Sequence, residues 1–207
     1  MKKIIKKLMR SVRRIIRTRV VNKKIKRLNN NNFTLFSCNC TGGVLYHELG
    51  MKFLSPTINM YMDCEDFIKF CENTKYYLSL NLEEYYGDIE RDYPLATLGD
   101  ITLYLVHYKT FEEASEKWNE RKKRINWDNI YVIGTDRDGF NDELSQRFDE
   151  LPYKKVLFTH LPDDNKNHFY IKGFESETQV GNIVGIINRL TGKRVYDQFD
   201  WVGFLNN

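Results

Sequence analysis

The chain of 207 residues lacks any run of about eighteen apolar residues, so nothing in it reads as a helix crossing a bilayer. It has only four prolines and no Ser/Gly-rich tract, and 42% of its residues are hydrophobic; together these exclude a disordered string of small modules. One main domain is the expectation at this length. Cysteine is scarce too. Cys38, Cys40, Cys64 and Cys71 show none of the paired Cys-x-x-Cys spacings of a structural zinc site. With no secretory signal, reduced thiols in the cytosol are the simplest reading. Gly-x-Ser-x-Gly, the Walker loop and His-Glu-x-x-His are all missing, which removes the enzymes most easily named from a motif.

Acidic residues are absent from positions 1–28, which carry thirteen Lys or Arg. The remainder, residues 29–207, then holds 19 basic against 28 acidic residues, so the formal +4 of the whole chain belongs to its first helix. Ile5, Leu8, Val12, Ile15, Ile16 and Val20 recur at helical spacing, and Lys6, Lys7, Arg10, Arg13, Arg14 and Arg17 mostly fill the other face. Such a basic amphipathic helix suits an anionic membrane surface, where each cation gains roughly 1 kcal/mol. A nucleic-acid arm is the runner-up, and the acidic body and ordered apolar stripe count against it. The plainer alternative is a solvated helix, or one packed on the body or on a partner chain.

Leu28 to Asn32 is a polar break, so residues 1–32 read as helix and linker and residues 33–207 as a single α/β domain. Apolar segments at 33–38, 57–62, 100–108, 129–134 and 155–160 read as strands, with a last one at 168–174. Helices are expected from Gly43, from Asp63 or Cys64 to about Leu80, from Thr110 to about Arg124, from Asn141 or Asp142 to Glu150, and over 179–191. Strands alternating with helices imply crossovers. The fold expected is a Rossmann-like three-layer α/β arrangement, a mostly parallel sheet with helices on both faces. Thr41-Gly42-Gly43-Val44 lacks the glycine spacing of a dinucleotide fingerprint.

Three strand ends carry polar clusters, and a parallel sheet would bring them to one edge, where α/β proteins bind ligands. Ser37-Cys38-Asn39-Cys40-Thr41-Gly42-Gly43 offers Ser37 or Cys40 as nucleophile, Asn39 as an amide, and the Gly42 and Gly43 amides as oxyanion donors. A glycine-rich tight turn is the structural alternative. Asp136 and Asp138 suit a divalent metal holding a nucleotide sugar, with Arg137 between them; a self-satisfied turn explains the same residues. His160 is the best general base, His47 the second, and His107 and His168 are weaker. Tyr196 to Trp201 mixes carboxylates with aromatic rings, as sugar sites do, or closes the core.

These clusters, together with Tyr46-His47-Glu48-Leu49-Gly50, Ser55-Pro56-Thr57-Ile58-Asn59 and Tyr196-Asp197-Gln198-Phe199-Asp200, make residues 33–205 resemble a bacterial family of unknown function, domain of unknown function 1919. That family is commonly labelled exopolysaccharide biosynthesis protein and is found with capsule genes. Its pattern usually has an asparagine where this chain has Cys38, which speaks against a nucleophilic Cys38. The resemblance implies a part in making cell-surface glycan. The expectation is therefore a transferase acting on a lipid-linked or nucleotide-linked sugar, cytoplasmic and peripheral on the inner membrane, with Ser37, Cys40, His160 and Asp136 in the chemistry. Asn39, Gly42, Gly43, His47, Arg137 and Asp138 would bind substrate, and no nucleic acid is expected as partner. A non-catalytic glycan-binding or assembly protein is the rival reading.

Overall fold

A computed structural model describes the chain except residues 1, 87–90, 186, 187 and 189 and the side chains of residues 2–10. Four short strands form a parallel sheet: β1 (Thr34–Ser37), β5 (Ile130–Thr135), β6 (Lys154–Thr159) and β7 (His168–Tyr170), in the order β1-β5-β6-β7. The register pairs Thr34 with Ile130 and Ile133 with Val156. Both faces of β1 and β5 are buried, which is why these segments read as continuous apolar runs rather than alternating ones.

One face of this sheet presents Phe36, Val132 and Leu157 to α3 (Cys64–Glu72), α5 (Phe111–Lys122) and α6 (Asp142–Glu150), through Phe70, Trp118 and Phe148. The other presents Leu35, Tyr131, Ile133 and Phe158 to α2 (Thr41–Glu48) and to the closing α7 (Trp201–Asn206). Trp201 is 1% exposed, so the aromatic C-terminal segment closes the core. The caps expected from sequence are present: Thr110 Oγ1 accepts from the Glu113 amide and Asn141 Oδ1 from the Leu144 amide.

Four segments depart from the sequence reading. Residues 100–108 do not join the parallel sheet: β4 (Ile101–Tyr104) pairs antiparallel with β3 (Leu95–Leu98), which pairs with β2 (Glu83–Tyr85). Only Gly99 and Asp100 separate β3 from β4, too few for a crossover, and Gly99 at φ +64° makes the tight hairpin. Residues 57–62 form a turn plus a single bridge, Tyr61 to Tyr104. The helix from Cys64 breaks at Asn73 (φ −126°, ψ 42°) before α4 (Thr74–Ser79). Of the helix expected over 179–191, residues 186, 187 and 189 lie outside the described residues, and the described ones are turns or irregular.

The first helix is not a tail. α1 spans Lys2–Arg27, and its second half lies against the body: Arg17 is 8% and Val21 9% exposed. Arg17 donates to both Glu48 and Asp197 and to the Tyr196 hydroxyl, Lys24 pairs with Asp197, and Arg194 with Glu48. Burial would push the Glu48 and Asp197 carboxyls up, but these donors more than reverse it and hold both below the ordinary range.

Candidate functional site

Because β1, β5 and β6 are parallel neighbours, the three polar clusters do share the carboxyl edge of one sheet. The order runs one way across the sheet, however, with no reversal to open a crevice between diverging crossovers. The edge is instead shaped by its loops. After β1 the chain drops at once into α2. The Ser37 hydroxyl accepts from the Gly42 amide, and Asn39 Oδ1 accepts from the Thr41 amide and hydroxyl. A Cβ on Gly42 would stand 2.9 Å from Ser37 Cβ, and one on Gly43 3.2 Å from Ile58 Cγ2. The glycines therefore serve close packing.

This corrects three expectations. Ser37 is 0% exposed and braces the turn, so it is sealed from any substrate. Gly42's amide is occupied by Ser37 rather than open to an oxyanion, and Gly43 is buried against Ile58 and Asn59. Cys38 is buried too, its Sγ 3.6 Å from Thr135 Oγ1, and burial pushes its thiol up to about 11.

Cys40 differs. It is half-buried, sits at the N-cap of α2, and its Sγ lies 3.0 Å from His107 Nε2. His107 is exposed and arrives from the turn after β4, held by the Tyr108 amide bonding to Leu105 O. Burial pushes the Cys40 thiol above its ordinary value, so the group rests protonated and depends on the imidazole to take its proton. Sequence reasoning ranked His107 low because its partner lies 67 residues away. The available signal was a histidine shortly after an apolar strand.

His160 and Asp136 also meet. Asp136 Oδ2 accepts from the His160 amide and lies 2.6 Å from Nδ1, while Oδ1 accepts from the Val180 amide. Asp136 thus fixes the ring with Nδ1 as the bonded nitrogen. Among the described residues no hydrogen bond joins this pair to Ser37 or Cys40. Both oxygens of Asp136 accept hydrogen bonds, and no group of three His, Cys, Asp or Glu among the described residues suits a metal ion. Asp138 (φ +59°) and Gly139 (φ +84°) make a turn, tied by the Asp138 amide to Gln179 and by Arg137 to Val180 O. The self-satisfied turn is the reading that fits.

A cavity of about 300 Å³ opens at this edge, lined among others by Asn39, Cys40, Thr41, Tyr61, Arg137 and Asn182. Tyr61's phenol is pushed well up by burial and by Asp138 and Asp63, so it remains a hydroxyl donor. The structure thus gathers Asn39, Cys40 and Arg137, leaves His160 and Asp136 on the same edge, and adds His107 and Tyr61.

His47 goes elsewhere. It is exposed and lines a groove of about 600 Å³ beside α1, together with Arg13, Arg14 and Ile25. In the cationic face expected for membrane contact, Arg17 is removed to the buried ion cluster, Arg13 and Arg14 border the groove, and the Lys6, Lys7 and Arg10 side chains lie outside the described residues. Val12 and Ile15 stay 47% and 54% exposed. His168 bonds Asp163 through Nδ1 (2.6 Å) and Ser145 Oγ through Nε2 (3.3 Å). This has a serine-relay order, but the Ser145 amide is engaged within its helix region by Asn141 O, and the trio ties α6 to β7.

Over residues 11–206 the chain matches the model of the domain of unknown function DUF1919, and it belongs to that family. The match starts inside α1, at residue 11, so the family pattern includes the helix half that docks on the body, beyond the span inferred from motifs. An uncharacterized protein of Haemophilus influenzae is 40% identical over 190 residues, covering 90% of this chain and 91% of its own length.

Proposed function

We propose that the chain is a group-transfer enzyme that works through a cysteine acyl intermediate, with Cys40 as nucleophile and His107 as general base. The observation that carries this is the 3.0 Å Cys40–His107 contact, with Cys40 lining a cavity at the start of a helix. His107 takes the thiol proton as Sγ attacks an acyl carbonyl; a thioester forms and the leaving group departs with that proton. An acceptor hydroxyl then gives its proton to His107, attacks the thioester and releases the free thiol. Arg137, Asn39 and Tyr61 line the cavity as binding groups, and His160, fixed by Asp136, is the second base on the edge.

That the acceptor is a sugar of a cell-surface polysaccharide, exopolysaccharide or capsule, rests on the family resemblance. A place on the inner face of the membrane rests on α1, where Arg13 and Arg14 neighbour the exposed Val12 and Ile15. No helix among the described residues is long and apolar enough to cross a membrane. The Rossmann-like three-layer description is supported by apolar clusters on both faces of the parallel sheet, while its one-way strand order departs from the doubly wound form.

The test is intact-mass spectrometry after incubation with acyl-coenzyme A or another acyl thioester. An adduct on Cys40 is expected in the wild type, none in Cys40→Ser, and a rate lower by about 10²–10⁴ in His107→Ala. Equal acylation of Cys40→Ser would sink the scheme. The raised Cys40 thiol favours the second reading, a non-catalytic glycan-binding or assembly protein. That reading predicts saturable glycan binding without any covalent adduct.

A further inference from the structure

The amino edge of the parallel sheet, opposite Cys40, holds a second cavity of about 500 Å³, lined among others by Asn73, Lys75, Tyr76, Trp127, Asp128 and Tyr153. Trp127 and Asp128 immediately precede β5, and Tyr153 precedes β6. With about 3.3 Å per residue, the six residues of β5 hold the two cavities roughly 20 Å apart. We infer that this is a carbohydrate-binding subsite for neutral pyranose units, with Trp127 and Tyr76 as the stacking surfaces. The inference stands apart from the thiol chemistry and survives its failure.

Three features carry it. First, the aromatic rings are open: Tyr76 is 56% and Trp127 45% exposed, whereas Trp118 and Trp201 are 0% and 1% exposed. A pyranose presents an apolar face of slightly positive C–H groups, which matches the negative face of an indole or phenol ring. Second, the polar groups around the rings are uncommitted. Among the described residues, the side chains of Asn73 and Asp128 make no hydrogen bond to the protein, and Lys75 forms no ion pair, standing 5.7 Å over the Trp127 ring. An amide, a carboxylate and an ammonium together supply donors and acceptors for sugar hydroxyls. Third, the charge is balanced. Glu72 is held by Arg147 in a two-bonded pair, and the Lys75 ammonium offsets the Asp128 carboxylate across the cavity. The site therefore carries no net charge to favour a phosphate or nucleotide over a neutral sugar.

The experiment uses the full chain and its own fluorescence. With the other two tryptophans buried, Trp127 is the one whose emission a ligand at this cavity can shift. Maltohexaose, cellohexaose and chitohexaose are titrated beside uridine diphosphate. At least one neutral oligosaccharide is expected to give a saturable shift, confirmed by calorimetry. Calorimetric binding should vanish in Trp127→Ala, weaken about tenfold in Tyr76→Ala, and persist in Cys40→Ser. Because both rings are exposed, the variants should retain the wild-type melting temperature, which separates lost contact from lost fold. Failure of all three sugars, preference for uridine diphosphate, or unchanged affinity in the Trp127→Ala, Tyr76→Ala double variant would each overturn the inference.

Discussion

Gly42 shows how tightly single positions are set. An added Cβ would stand 2.9 Å from Ser37 Cβ, so Gly42→Ala should destabilise by about 1–3 kcal/mol, read from a denaturant midpoint. Arg17 is the larger case. Replacing it with Met leaves Glu48 and Asp197 without their shared cation inside the body, a loss of about 3–5 kcal/mol by urea unfolding. Arg13→Gln, on the same helix but outside that cluster, should move stability by less than about 0.5 kcal/mol. The difference between these two arginines is invisible in a helical wheel, where both occupy the basic face. Only the carboxylates supplied by α2 and by the turn at residues 195–198 tell them apart.

At the scale of elements, the docking of α1 should depend on acid. Glu48 and Asp197 are held below their ordinary range in the folded state, so their contribution is complete above the unfolded carboxylate value near pH 4 and disappears as pH falls through the folded one. Thermal melts from pH 7 to pH 3 should show the gap between wild type and Arg17→Met closing at the acid end; a constant gap would contradict the linkage. Elements whose signals are local were legible in the sequence, such as the Thr110 and Asn141 caps and the apolar runs of β1, β5 and β6. β4 was legible as a strand and misread in its sheet, because partner choice was decided by a two-residue turn rather than by β4 itself. Residues 179–191 had the composition of a helix, yet Gln179 and Val180 instead latch the loops after β5. In the site, Cys40 and His107 could each be read as candidates but their pairing could not, since their meeting depends on how the antiparallel sheet seats beside the parallel one.

For the whole molecule, the second half of α1 is docked on the body through buried ion pairs rather than hanging as a tail. A chain lacking residues 1–28 should melt well below the full chain, since it loses the ion pairs of Arg17 and Lys24 together with the buried contact of Val21. An unchanged melting temperature would return α1 to the status of an appendage. The same ion cluster sets an order of events during synthesis. Arg17 leaves the ribosome 180 residues ahead of its partner Asp197. At the usual pace of about 5–20 residues per second, the basic helix stays undocked for roughly ten seconds or more. For that interval Arg17 and Lys24 lack their Asp197 partner and stay open to chaperones, ribosomal RNA or lipid, and the arrival of the turn at residues 195–198 decides when that exposure ends.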